Sequence, residues 1–200
     1  MPLAKHQRWF LLACLFEFCL LGVASVLGWL LGQAPLADFH WRLRDALIGG
    51  LAAVPMAGAF RWLLRSRWRP LLNIRELLER SLRLIFRPCS LLQLALLSLV
   101  AGVSEECLFR GVMQGALAGW ISPAGALIVA SLLFGLCHLV TRAYGVIAAL
   151  FGAYLGLLWL STGNLLAPVV AHALYDFVAL AYFLRRHPPD DGARPPPATS

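Results

Sequence analysis

Leu91-Leu92-Gln93-Leu94-Ala95-Leu96-Leu97-Ser98-Leu99-Val100-Ala101-Gly102-Val103 runs without a charge into Ser104-Glu105-Glu106-Cys107-Leu108-Phe109-Arg110. Val112, Met113, Ala116 and Leu117 continue the apolar pattern on the far side. An ionised side chain at bilayer depth costs about 2.5–3.5 kcal/mol or more, so such groups face a protein interior or a wet cavity. Two carboxylates and an arginine in so short a stretch of an apolar run therefore need a shared purpose.

The rest of the chain supports a membrane setting. It has 200 residues, 60% hydrophobic and 14% charged, with a mean hydropathy of +0.74. Soluble domains are about half apolar and a quarter charged. The net charge of +7 sits between apolar spans and reads as membrane topology rather than a nucleic-acid surface. The cysteines Cys14, Cys19, Cys89, Cys107 and Cys137 are odd in number and form no C-x-x-C, which argues against a disulfide framework or a zinc knuckle. They are expected to be reduced and structural.

Outward from the acidic stretch, the pattern predicts an all-α, polytopic transmembrane bundle of six spans plus one interfacial helix. The first span is Trp9 to Gly32, too long for a signal-peptide core and expected to remain uncleaved. Glu17 within it is expected to pair with an arginine from another helix, the alternative being a cavity-facing group. Asp45 to Leu64 is the second span. Arg65 to Arg87 carries seven arginines with leucines and isoleucines at near-helical spacing, and reads as an amphipathic helix attracted to anionic lipid. The third span runs from Pro88 to about Ala118, the fourth from Pro123 to Val140, the fifth from Ala143 to Leu160 and the sixth from Leu165 to Leu184. In domain terms, residues 1–87 form two spans and the basic helix, 88–186 a core that carries the acidic stretch, and 187–200 a Pro- and Asp-containing tail expected to be disordered. Lys5, Arg8, the Arg65 to Arg87 cluster, Arg142, Arg185 and Arg186 fall on one side of this arrangement and only Arg42 and Arg44 in loops opposite, so both termini are expected in the cytoplasm.

Three later polar positions join the acidic pair. His138 closes Phe134-Gly135-Leu136-Cys137-His138, and His172 and Asp176 stand four apart in His172-Ala173-Leu174-Tyr175-Asp176, hence on one helical face. Glu106 and Arg110 also share a face, while Glu105 points about 100° away. One glutamate can thus meet a reaction cavity while the other is held by Arg110. A carboxylate and a histidine can orient and deprotonate a water, and a second histidine can donate to a developing oxyanion, chemistry suited to amide hydrolysis. The same atoms of Glu105, His138 and His172 could instead hold a divalent metal such as Zn2+ that acidifies the water. No H-E-x-x-H or G-x-S-x-G occurs, and helical geometry turns Cys107 and Cys137 away from the key neighbours.

Glu105-Glu106-x-x-x-Arg110, then Phe134-x-x-x-His138, then His172-x-x-x-Asp176 resembles, in order and spacing, the three motifs of the CPBP (Abi-type) intramembrane proteases. That family includes type 2 CAAX prenyl endopeptidases and bacterial members linked to bacteriocin immunity. The resemblance covers about Leu91 to Leu184. It implies that Glu105 activates water with help from His138, that Glu106 and Arg110 form a supporting pair beside Phe134, and that His172 and residue 176 form the oxyanion site. It also implies a peptide or protein substrate at the membrane and, in a bacterium, residence in the inner membrane. Residue 176 is commonly asparagine in that family and is Asp176 here; an ionised aspartate cannot donate to an oxyanion, so it is expected to orient His172 or join a metal site. A catalytically inactive relative acting by binding, or an ion or proton carrier, fits the same charges less well. One geometric tension remains in the sequence: Glu105 lies about 25 Å into a helix starting at Pro88, while His138 is close to the loop at Arg142.

Overall fold

The computed structural model describes residues 5–86 and 89–185; the tail expected at 187–200, together with Arg87 and Arg186, lies outside the described residues. Among these residues there are helices and no strands. Helix α1 spans Lys5–Leu31, α2 Leu43–Arg65, α3 Arg69–Phe86 and α4 Leu91–Glu106. A π-helical segment, Cys107–Gln114, joins α4 to α5, Gly115–Trp120. Then follow α6 (Pro123–Cys137), α7 (Arg142–Thr162) and α8 (Leu166–Arg185).

Five helical stretches are long and apolar enough to cross a membrane: Gln7–Leu31, Leu43–Arg65, Leu91–Trp120, Arg142–Thr162 and Leu166–Phe183. Their outer faces carry exposed side chains such as Leu15, Phe18, Val54, Leu92, Leu150 and Val178, as lipid contact requires. The expected fourth span differs. Helix α6 has 15 residues, which at 1.5 Å per residue is about 22 Å, short of a bilayer core of roughly 30 Å. Helix α3 is amphipathic, with Leu71 and Ile74 buried against the bundle and Arg69 and Arg80 exposed. It starts at Arg69 rather than Arg65, because α2 runs on through Arg65 and Ser66 to Trp68 are non-helical.

Helix α4 of the third span begins at Leu91, and its cap explains why; the expected start at Pro88 lies outside the described residues. Ser90 Oγ accepts from Gln93 N at 3.2 Å while Gln93 Oε1 accepts from Ser90 N at 2.8 Å, a reciprocal capping box that satisfies two helix-end donors. The combination of this late start and the short α6 removes the geometric tension. Glu105 and His138 are equidistant in sequence from the Ile121-Ser122 turn, one on the way into it and one on the way out. Antiparallel neighbours of equal length from a shared turn bring their far positions to the same level, so the two side chains meet.

Helix α8 is the centre of the bundle and packs on both α2 and α4. Close approach depends on two glycines: a Cβ at Gly49 would strike the Ala167 carbonyl, and one at Gly102 would crowd Ala173 and Val169. The turn before α8 is fixed by a buried polar lock. Asn164 donates to Asp45 Oδ2 (2.7 Å) and to the His40 carbonyl (2.8 Å), and accepts from His40 N (3.0 Å). Gly163, at φ 61°, supplies the left-handed C-cap of α7 that makes this turn possible. The 32–42 loop then bridges two elements: the Asp38 carbonyl accepts from Leu165 N, and the Pro35 carbonyl lies against Gly111 of the π-segment. Non-helical backbone at this depth is tolerated because protein covers it. The start of α8 is thereby drawn level with the π-segment, and His172, little more than a turn and a half along, can reach Glu105.

Candidate active site

The site begins with the irregularity in the third span. A π-helix widens the turn by one residue and is commonly found at functional positions. Here it follows directly on Glu106, so the acidic pair sits at the last regular turn and Arg110 on the first widened one. Glu106 and Arg110 still meet: Arg110 Nη1 donates to Glu106 Oε1 at 2.7 Å, and both side chains are essentially sealed from solvent, at 1% and 0% exposure. The other arm of the guanidinium, Nη2, donates to the Gly152 carbonyl of α7 at 2.8 Å. Four residues further on, Gln114 reaches the Gly156 carbonyl, one turn along the same helix. A Cβ at Gly156 would press on the ends of the Leu127 and Gln114 side chains, so glycine leaves that amide free to reach the carbonyl. A buried ion pair is costly to desolvate unless its remaining hydrogen-bonding capacity is met; the Gly152 carbonyl meets part of it on the arginine side, while Glu106 Oε2 has no donor among the described residues.

Glu106 Oε1 serves a second donor. His172 Nδ1 lies 2.8 Å from it, so the ring is held by Glu106 through Nδ1 and presents Nε2 to the site. His138 is held in a parallel manner from its own helix. Its Nδ1 lies 2.8 Å from the Phe134 carbonyl, which can only accept, so Nδ1 carries the hydrogen and Nε2 turns outward. Phe134 occupies the middle of the group. Its ring stacks on His138 at 4.4 Å, meets His172 edge-on at 6.0 Å and lies 4.8 Å beneath the Arg110 guanidinium. Arg110 over an aromatic face is a favourable cation–π arrangement.

Both free imidazole nitrogens face Glu105. Its Oε2 is 3.7 Å from His138 Nε2 and 3.9 Å from His172 Nε2. That oxygen is buried and accepts no hydrogen bond among the described residues. Asp176 Oδ2 stands 3.6 Å from His172 Nε2. The four groups line one cavity of about 130 Å3 that Tyr144 and Tyr175 also border. A buried water occupies about 30 Å3 of liquid volume, so such a cavity has room for a nucleophilic water.

Each residue singled out in the sequence can now be placed. Glu105, Glu106, Arg110, Phe134, His138, His172 and Asp176 come together from four helical elements. Two expectations change. Asp176 is expected to orient His172 or to join a metal site; Nδ1 of the ring is held by Glu106, and Asp176 flanks Nε2, which leaves the second of these. Glu17 was expected to pair with an arginine; it accepts from Ser104 Oγ at 2.6 Å, which ties α1 to the helix that carries the acidic pair. Arg110 is unavailable to it, being engaged by Glu106 and Gly152. Ser104, which the sequence offers only as a weak nucleophile candidate, turns out to tie Glu17, and Gln114 and the glycines of α7 carry no sequence-level expectation. The matching four-residue spacing of Arg110/Gln114 and Gly152/Gly156 is the signal that could have linked those two helices.

Among the described residues no group of three or more His, Cys, Asp and Glu stands close enough together to hold an ion as placed. Glu105, His138 and His172 nonetheless converge, and with Nδ1 of each histidine held by Glu106 or Phe134 the Nε2 atoms are the ones left toward Glu105.

Residues 87–178 match the family model described as type II CAAX prenyl endopeptidase Rce1-like. The resemblance read from the three motifs is thus borne out over that segment, and it is a resemblance to intramembrane proteases acting on a peptide or protein at the membrane. No curated protein and no solved structure gives a significant match.

Proposed function

We propose that this chain, whose residues 87–178 carry the Rce1-like protease match, is an intramembrane endopeptidase that hydrolyses a peptide bond with Glu105 as general base. The observation that carries the proposal is Glu105 Oε2: buried, without a hydrogen-bond donor among the described residues, and, unlike the equally donorless Glu106 Oε2, bordering a cavity of about 130 Å3 beside two imidazole nitrogens. An acceptor so placed is suited to a water that it shares with His138 Nε2. Glu105 takes one proton from that water while His138 accepts the other in a hydrogen bond. The oxygen forms a bond to the scissile carbonyl carbon, whose π electrons pass to the carbonyl oxygen. His172, anchored through Nδ1 and protonated at Nε2, donates to that oxyanion. Collapse of the intermediate breaks the C–N bond, and Glu105 returns its proton to the departing amine.

Glu106, Arg110 and Phe134 act as the frame that keeps both rings in register. The substrate class is a membrane-associated peptide or protein, reached from the side on which His138 and Asp176 are partly exposed, at 27% and 29%. A cytoplasmic placement of both termini follows from the distribution of arginines.

The test is a comparison of peptide and protein termini in membranes containing the wild type or Glu105→Ala. The proposal expects a set of new termini present only with the wild type. Identical sets would instead favour the reading in which the fold acts by binding without cleavage, to which Asp176 in place of the family's usual asparagine lends support. A chelator added to the purified enzyme addresses the metal alternative, with Glu105, His138 and His172 as ligands: activity that survives chelation fits the glutamate route, and loss restored by Zn2+ fits the metal.

A further inference from the structure

A larger cavity lies one turn away from the site, between α2, α3 and α8. It measures about 1070 Å3 and is walled by Ala57, Phe60, Phe177 and Val178, with Arg61 and Arg65 also lining it. Its lining residues Ala57 and Phe177 are the chain neighbours of Met56 and Asp176, which line the smaller space, so the two cavities share the helices α2 and α8.

The charges here are unlike those at the active site. Arg75 is occupied, by Glu79 at 3.3 Å and by the Leu64 carbonyl at 3.3 Å. Arg61 and Arg65 make no hydrogen bond or ion pair among the described residues and are exposed. Trp62 and Trp68 flank them at 66% and 63% exposure. Exposed tryptophans of a membrane protein favour the headgroup level, which sets the depth of the two arginines. An apolar groove thus runs down from a pair of uncommitted cations at the interface. A basic pocket between transmembrane helices suits an anionic lipid headgroup. A free anion would leave the apolar walls unused, and an acidic peptide would press backbone amides against them at a cost.

We propose that this groove binds one anionic phospholipid, its phosphate held by Arg61 and Arg65 and one acyl chain lying along Phe60, Ala57 and Val178. The lipid then forms part of the wall beside the catalytic cavity, and the site is independent of the hydrolytic mechanism. The test uses full-length protein in detergent and native mass spectrometry with dioleoyl phosphatidylglycerol and dioleoyl phosphatidylcholine. The two lipids share their chains and differ in charge. The wild type is expected to prefer the phosphatidylglycerol by roughly fivefold for each arginine. Arg61→Gln with Arg65→Gln abolishes the preference, and Arg61→Lys with Arg65→Lys retains it. Ala57→Trp, which fills the groove and leaves both arginines in place, lowers phosphatidylglycerol retention by about tenfold. Equal retention of the two lipids by the wild type overturns the proposal, as does an undiminished preference in the glutamine pair. So does glycerol 3-phosphate or a soluble acidic peptide binding as tightly as the lipid. If the glutamine pair does not accumulate, Ala57→Trp decides: unchanged phosphatidylglycerol retention in that variant overturns the proposal.

Discussion

Two carboxylates that are adjacent in sequence live in opposite conditions. At Glu106 one oxygen is engaged twice, with Arg110 and His172 both donating to it, and Arg110 also reaches across to the Gly152 carbonyl. The second oxygens of Glu106 and Glu105 are both buried without a donor among the described residues, but only Glu105 borders the cavity. The first arrangement uses Oε1 to hold positions. The second keeps an acceptor for something that enters. Between them runs a division of labour that the helix imposes, since consecutive residues project about 100° apart.

The comparison is broken most decisively at Glu105. Glu105→Gln keeps the shape and removes the base, so turnover is expected to fall by about 10²–10⁴, with thermal unfolding in detergent unchanged. A variant within tenfold of wild type would end the assignment of Glu105 as base. Glu106→Leu is expected to act on the fold instead, leaving Arg110 buried and unpaired at a cost of about 3–5 kcal/mol, read as a lowered melting temperature. Adding Arg110→Met to it should recover most of that stability, since replacing both members of a buried pair with apolar groups is often near neutral. Activity should not return, because His172 has then lost the acceptor on Nδ1.

Next in size is the oxyanion donor. His172→Phe should reduce kcat by about 10²–10³ with little change in KM, a split that a purely structural role would not produce. Asp176→Asn sharpens the assignment of Nε2. It puts an amide donor where a carboxylate now stands 3.6 Å from that nitrogen, so the rate is expected to hold or rise by less than about tenfold. The smallest effect is Ser104→Ala, which removes the link to Glu17 and should cost about 1 kcal/mol of stability.

Much of this was legible from the chain. Apolar runs of about twenty residues report their own helices and their own need for lipid, and i, i+4 spacing pairs Glu106 with Arg110 before any coordinates. Local information also limits what can be seen. The partner of Glu17 was misjudged because the favoured ligand for a buried carboxylate is an arginine, and only the packing of α1 on α4 brings a serine hydroxyl to it first. The widened turn at Cys107–Gln114 has no signature in residue type, since a π-helix arises where neighbouring elements, here the Pro35 loop and α7, hold the backbone out of α register.

The sequence alone therefore determined that the chain is helical, with stretches apolar enough to cross a membrane, and it singled out seven candidate side chains, because hydropathy and helical periodicity are properties of neighbouring residues. Tertiary structure decided what those side chains do to one another. The short α6 and the late start of α4 set His138 level with Glu105, and the sunken loop at Pro35 and Asp38 sets the start of α8 so that His172 meets both glutamates. Depth and orientation depend on where distant segments stop and how closely they pack, and neither quantity is encoded within any one stretch of the chain.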